Sequence, residues 1–152
     1  MSTVYRRILV PVDGSSTAAP GLREAIRLAK DQGASLRLVH VVDETMVLGT
    51  GEAGVDMSPL LAGLARSGRA VLERARRTAE KSGVHAQTAI YESVGASAAD
   101  TILRDARKWR ADLIVIGTHG RRGLRRLVLG SDAEQVVRLS AVPVLLVRGR
   151  GG

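Results

Sequence analysis

Leu113-Ile114-Val115-Ile116 runs straight into Gly117-Thr118-His119-Gly120, and this change from an apolar run to a small-residue turn carries the architecture. Four consecutive apolar residues, without the alternation of a half-exposed strand, describe a strand covered on both faces, as in a parallel sheet sandwiched by helices. Upstream, Ala98, Ile102, Ala106 and Trp109 recur at helical spacing. Downstream, a Gly- and Arg-rich loop over Gly117–Gly130 precedes a helix from Ser131 to about Leu139. Pro143 then introduces a last strand, Val144–Val147.

The amino-terminal half follows the same rhythm. Arg7–Val12 reads as a strand ending in the turn Asp13-Gly14-Ser15-Ser16, with Thr17 placed to cap a helix. That helix buries Leu22, Ala25, Ile26 and Ala29 and closes at Gly33. Ser35–Val42 is a second strand, and Asp43–Met57 reads as a loop. Ser58-Pro59 opens a long helix that ends at Gly83, and Val84–Glu92 is the third strand. Strands alternating with helices in this order predict one α/β domain over residues 1–152, a doubly wound five-stranded parallel sheet with helices on both faces. Ligands of such sheets sit beyond the strand carboxyl ends where strand order reverses, here between the first and fourth strands. The expected site therefore combines Pro11–Ser16 with Gly117–Ser131.

Composition narrows the function. The 152 residues are 45% hydrophobic and 25% charged, with 23 basic and 15 acidic side chains giving a net charge of +8. That balance speaks to solubility and steering, and invites acidic ligands. Aromatic residues number only Tyr5, Tyr91 and Trp109, which removes the stacking platforms that grip single-stranded nucleic acid. With no cysteine, disulfides, thiolate metal sites and a cysteine nucleophile are excluded. His40, His85 and His119 lie too far apart for a short metal motif. No membrane span or leader is legible, so a soluble cytoplasmic protein is expected.

Two glycine patterns compete for a phosphate. Gly49-x-Gly51-x-x-Gly54 satisfies the dinucleotide fingerprint, but it neither follows a strand directly nor opens a helix, and Glu52 would repel phosphates. Gly117-x2-Gly120-x9-Gly130-Ser131 does follow the apolar strand and ends at a helix N-terminus. Glycines admit an anion close to backbone N–H groups, and the helix end adds partial positive charge. Ser131 can cap the helix or donate to a phosphate. Arg121, Arg122, Arg125 and Arg126 raise the local potential.

The same residues resemble the nucleotide-binding motif of the universal stress protein family, G-x2-G-x9-G-(S/T). The opening Ile8–Ser15 (ILVPVDGS), His40 in Leu38–Val42, Ala111–Gly117 and the closing Pro143–Val147 also resemble that family, in the right order along nearly the whole chain. The resemblance implies strand order 3-2-1-4-5 with ATP at the reversal point. It implies that Pro11, Val12 and Asp13 line the adenine and ribose end, and that Val41 meets the adenine edge through its backbone. Gly117, Thr118, His119, Gly120, Arg121, Arg122 and Gly123 would wrap ribose and phosphates, with Gly130, Ser131 and Asp132 holding the phosphate tail. It further implies a homodimer through Val144–Val147.

Asp132 departs from the neutral residue usual in the family. It favours the helix dipole, yet beside a triphosphate it repels, unless a divalent cation such as Mg²⁺ bridges or the side chain turns away. ADP or AMP is then an alternative ligand. Asp13 is either a cation or water carrier or a turn former. The leading expectation is an ATP-binding regulatory homodimer of the stress response with protein partners. A slow ATPase using the same site is the alternative, with no lysine near the phosphate loop to support fast hydrolysis. Nucleic-acid binding through Arg121–Arg126 ranks last.

Overall fold

The computed structural model describes residues 4–15, 18–118 and 130–149, apart from the side chains of Met46 and Thr50. Its elements are β1 (Arg7–Pro11), α1 (Ala18–Gln32), β2 (Ser35–Asp43), α2 (Thr45–Thr50), α3 (Ser58–Lys81), β3 (Ala86–Ser93), α4 (Ala98–Trp109), β4 (Leu113–Thr118), α5 (Ser131–Leu139) and β5 (Val144–Arg148). All five strands are parallel and lie in the order β3-β2-β1-β4-β5. This is the doubly wound α/β fold expected from the alternation of apolar runs and helical periods.

The apolar runs supply two cores, one on each face. Leu113 and Val115 of β4 enter one core, Ile114 and Ile116 the other, and none is more than 9% exposed. Alternation in β1 does the same, sending Ile8 and Val10 to one side and Leu9 to the other. The first core is closed by α1 (Ala25, Ile26, Ala29) and α3 (Leu72, Ala75, Ala79). The second is closed by α4 (Ala99, Ile102, Leu103, Ala106) and α5, whose one buried residue is Val136. Trp109 packs at the margin of this second core, and the Arg7 guanidinium stands 5.6 Å from its ring centroid.

Several boundaries differ from the sequence expectation. Asp43–Met57 is not a loop throughout: Asp43 ends β2, and Thr45–Thr50 form a short helix. Asp43 Oδ1 accepts from the Thr45 amide at 2.9 Å, satisfying one of the donors a helix start leaves open. Gly49 belongs to this helix, so Gly49–Gly54 is not a phosphate loop. Ser58 does not cap α3. Met57 holds that position, and Asp56 Oδ1 accepts from the Ser58 amide at 3.0 Å. Ser131 likewise begins α5 rather than capping it, because Gly130 is the N-cap. β3 spans Ala86–Ser93 instead of Val84–Glu92. β4 runs on through Thr118 and β5 through Arg148, which pair with each other, so neither the loop nor the tail begins where expected. The Thr17 cap lies outside the described residues.

Gly63 and Gly68 interrupt the apolar pattern of α3, yet the helix is continuous. Gly68 has a packing reason. A Cβ there would stand 2.5 Å from His40 Cδ2 and 3.1 Å from Ile90 Cδ1. His40 cannot step aside freely, because its Nδ1 donates to the Val12 carbonyl at 2.8 Å. At Gly63 a Cβ would meet no atom closer than 4.0 Å. The two glycines therefore respond oppositely to alanine. Gly63→Ala is expected to stabilise the protein by about 0.5–1 kcal/mol through helix propensity. Gly68→Ala is expected to destabilise it by about 1–3 kcal/mol through overpacking. Urea-unfolding midpoints of both variants check the pair.

Candidate functional site

Reversal of strand order places β1 and β4 side by side while their following helices leave for opposite faces of the sheet, α1 to the first core and α5 to the second. Between them opens a cleft of about 360 Å³ at the strand carboxyl ends. Pro11, Val12 and Asp13 line it from the end of β1, Val39, Val41 and Asp43 from β2, and Ile116 and Gly117 from β4. Ala98 and Ile102 of α4 form one wall, and Gly130, Ser131, Asp132, Ala133 and Val136 of α5 form another. Ala18 at the start of α1 closes the rim.

Backbone contacts hold this geometry. The Val12 amide donates to the Val39 carbonyl at 2.8 Å, and the Val12 carbonyl accepts from His40, so Val12 is tied to β2 at both ends. His40 is thus a structural histidine. Gly21 lets α1 press directly on the end of β4: a Cβ at position 21 would lie 2.6 Å from the Gly117 amide nitrogen. Among the described residues no side chain caps the α5 N-terminus, and its first three residues line the cleft. Its first-turn N–H groups lack intrahelical acceptors, which makes this end of the cleft receptive to an anion. The opposite end is apolar, built from Val39, Val41, Ile102, Ile116 and Val136.

Three carboxylates also line the cleft. Asp13 Oδ1 accepts from the Ser15 amide at 2.8 Å, the turn-forming role weighed for it. Asp43 caps Thr45, as described. Asp132 sits in the first turn of α5, with Glu134 close behind. Among the described residues no group of three or more histidine and carboxylate side chains is placed to hold a metal ion.

Of the residues singled out in the sequence, Pro11, Val12, Asp13, Val41, Gly117, Gly130, Ser131 and Asp132 come together around the cleft. Thr118 does not line it. Its side chain is buried and the hydroxyl donates to the Val147 carbonyl at 3.4 Å, linking β4 to β5. His119, Gly120, Arg121, Arg122 and Gly123 lie outside the described residues, as do Arg125 and Arg126. The sequence reading missed Ala18, Val39, Asp43 and Ile116 beside the strand ends, and Ala98, Ile102, Ala133 and Val136 on the helical walls. Ala98 and Ile102 were visible as neighbours on one helical face, but which strand that face covers is known only from the sheet order.

The α4 wall is anchored by a polar triad centred on a buried carboxylate. Arg37 on β2 donates to Asp105 on α4 through Nε at 2.7 Å and Nη2 at 2.8 Å, and the Tyr91 hydroxyl of β3 donates to the same carboxylate. The Asp105 side chain is fully buried. Burial alone would raise its pKa, but the hydrogen bonds from Arg37 and Tyr91 outweigh burial and hold the carboxyl below the usual range. The bond to Asp105 pushes the Tyr91 hydroxyl above its ordinary value.

The structure so far defines an open, doubly wound α/β protein whose cleft lies at the reversal of strand order. A family model described as the universal stress protein family matches residues 4–148. The chain therefore belongs to the universal stress protein family. It is 36% identical over 146 residues to a universal stress protein of Methanocaldococcus jannaschii, covering 95% of this chain and 83% of that one. A crystal structure of a family member from Burkholderia pseudomallei is 36% identical, with a TM-score of 0.77 over 94% of this chain and 96% of the other. A universal stress protein solved in complex with cAMP is 25% identical, with a TM-score of 0.63 over 95% of this chain and 97% of that one. No described helix is long and apolar enough to cross a membrane.

Removing Asp105 strands a half-buried guanidinium and a phenol. Asp105→Ala is expected to cost about 3 kcal/mol, and Tyr91→Phe about 1 kcal/mol. Because the folded carboxyl titrates low, its contribution is complete above the ordinary carboxylate range and is lost as pH falls below it. Because Tyr91 titrates high, its contribution fades as pH rises past the ordinary value of 10.0. The gap in urea midpoint between the native chain and Asp105→Asn should therefore narrow from neutral pH to about pH 3.

Proposed function

We propose that the chain is an adenine-nucleotide-binding regulatory protein of the stress response, with ATP as its ligand and ADP or AMP as alternatives. The observation that carries this reading is the pairing, within one cleft, of an apolar slot with the uncapped N-terminus of α5. A purine fits the first and phosphate the second. In this reading Val41 meets the adenine edge through its backbone, and Pro11, Val12 and Asp13 flank adenine and ribose. Gly117–Gly123 wrap the sugar and phosphates, with Gly130, Ser131 and Asp132 at the phosphate tail. A Mg²⁺ ion would reduce repulsion between Asp132 and a triphosphate; without one, Asp132 favours a nucleotide of lower charge. The cAMP complex of a relative supports an adenine nucleotide as the ligand class.

The test is the nucleotide content of freshly purified, acid-denatured protein, repeated after incubation with ATP and Mg²⁺. Stoichiometric adenine nucleotide is expected, with Gly130→Trp losing it while keeping the native unfolding midpoint. A preparation that retains nothing under either condition overturns the reading.

The regulatory unit we propose is a homodimer through β5. Among the described residues this strand pairs with β4 on one side only and is the last strand of the sheet. Leu145 is 38% exposed on it, and Val137 and Leu139 of α5 are exposed nearby in sequence. An open edge of this composition calls for a partner or a cover. Leu145→Lys is expected to convert a dimer to a monomer in light scattering coupled to size-exclusion chromatography. A wild-type chain that is monomeric there removes the dimer from the proposal.

A further inference from the structure

The two helical faces differ sharply in charge. α1 and α3, side by side over the first core, carry nine basic and four acidic residues. α4 and α5, over the second, carry four of each. On the α1–α3 face the acids are already engaged. Glu24 pairs with Arg27, Glu73 with Arg76 and Arg77, and Glu80 with Arg76, while Asp31 lies beside Arg27. The hydrogen bond from Arg76 holds the Glu73 carboxyl down at about 2, so this acid stays ionised and committed to its partners. Six exposed cations remain with no carboxylate partner among the described residues: Arg23, Lys30, Arg66, Arg69, Arg74 and Lys81.

We propose that this α1–α3 face is a docking surface for the phosphate backbone of double-stranded nucleic acid. Charge complementarity selects a polyanion, and the remaining features select which one. Four of the six cations lie on α3 between positions 66 and 81, about 22 Å of axis at 1.5 Å per residue. Phosphates of one strand recur about every 3.4 Å of duplex axis, so a helix lying along that axis spans about six. Arg74 stands on the rim of a groove between the two helices, lined also by Leu22, Val71 and Thr78. Arginine, which predominates here, bonds phosphate with a planar fork. The two helices contain no aromatic residue, which disfavours single strands. They expose one large apolar side chain, Leu60, so the face lacks the apolar layer a membrane-surface helix inserts and the apolar centre a protein interface buries. None of the six lines the cleft, so this surface is separate from the nucleotide site.

The test titrates the full chain against labelled DNA and RNA duplexes of one sequence, and against the corresponding single strand, between about 50 and 200 mM salt. Binding of either duplex is expected, stronger than that of the single strand and falling steeply with salt. The two duplexes tell which backbone is preferred. Each arginine that neutralises a phosphate contributes about 0.9 to the slope of log K against log salt, so the triple variant Arg66→Glu, Arg69→Glu, Arg74→Glu should lower the slope by about 3. The triple Gln variant should lower it in the same direction, and both should keep the native unfolding midpoint and nucleotide content. The proposal is overturned if neither duplex binds at the lowest salt. It is equally overturned if Arg104→Glu with Arg107→Glu, or Arg121→Glu with Arg122→Glu, causes the whole loss. Binding of phosphatidylserine vesicles in place of duplex overturns it in favour of a membrane surface.

Discussion

Every feature of this molecule depends on the need to cover β1 and β4 on both faces. A strand with buried side chains pointing both ways cannot tolerate water on either side, so helices must close both. Chain connectivity then leaves little choice. Right-handed crossovers carry α1 and α3 to one face while α4 and α5 take the other, because β4 is laid on the far side of β1 from β2. The cleft is the unavoidable gap where neighbouring strands send their chains apart. A binding site at this point needs no special device beyond residues small enough to let backbone line it, which Gly117 and Gly130 provide.

Around that gap, apolar packing and polar anchoring divide the labour. Close packing fixes the first face: Gly21 brings α1 onto the Gly117 backbone, and Gly68 brings α3 onto the His40 ring, which in turn holds Val12. Hydrogen bonds fix the second: Arg37, Tyr91 and Asp105 join β2, β3 and α4. Backbone contacts hold the β1 lip of the cleft, whereas a charged triad holds its α4 wall.

Much of this was legible in the residues. The all-apolar Leu113–Ile116 announced a strand covered on both sides, and alternation of strand and helix announced the winding. Fold and switch point followed from local periods, since those periods are imposed by the same burial that stabilises the sheet. Local exchange of hydrogen-bonding partners was harder to see. Asp43 serves the start of an α2 that read as loop, and Asp56 rather than Ser58 serves the start of α3, because several side chains within reach of an open amide compete and geometry decides. Gly68 interrupts the apolar pattern of α3 and is a contact with His40, on a strand 28 residues earlier in the chain. The second-face contributors to the cleft, Ala98, Ile102 and Val136, carry no chemical signature of their own. They belong to the site because of where the sheet puts them.

The Arg37–Asp105 pair also bears on what heat does to the protein. Withdrawing charges from water becomes less costly as temperature rises, while hydrophobic stabilisation per unit area levels off. The α4 wall is thus tied by an interaction that improves on warming. Among the described residues α5 has no such tie: its one buried side chain is Val136, and its ion pair, Arg138 with Glu134, is exposed. The two walls of the cleft therefore answer to temperature through different forces, a charged tie on the α4 side and apolar packing on the α5 side.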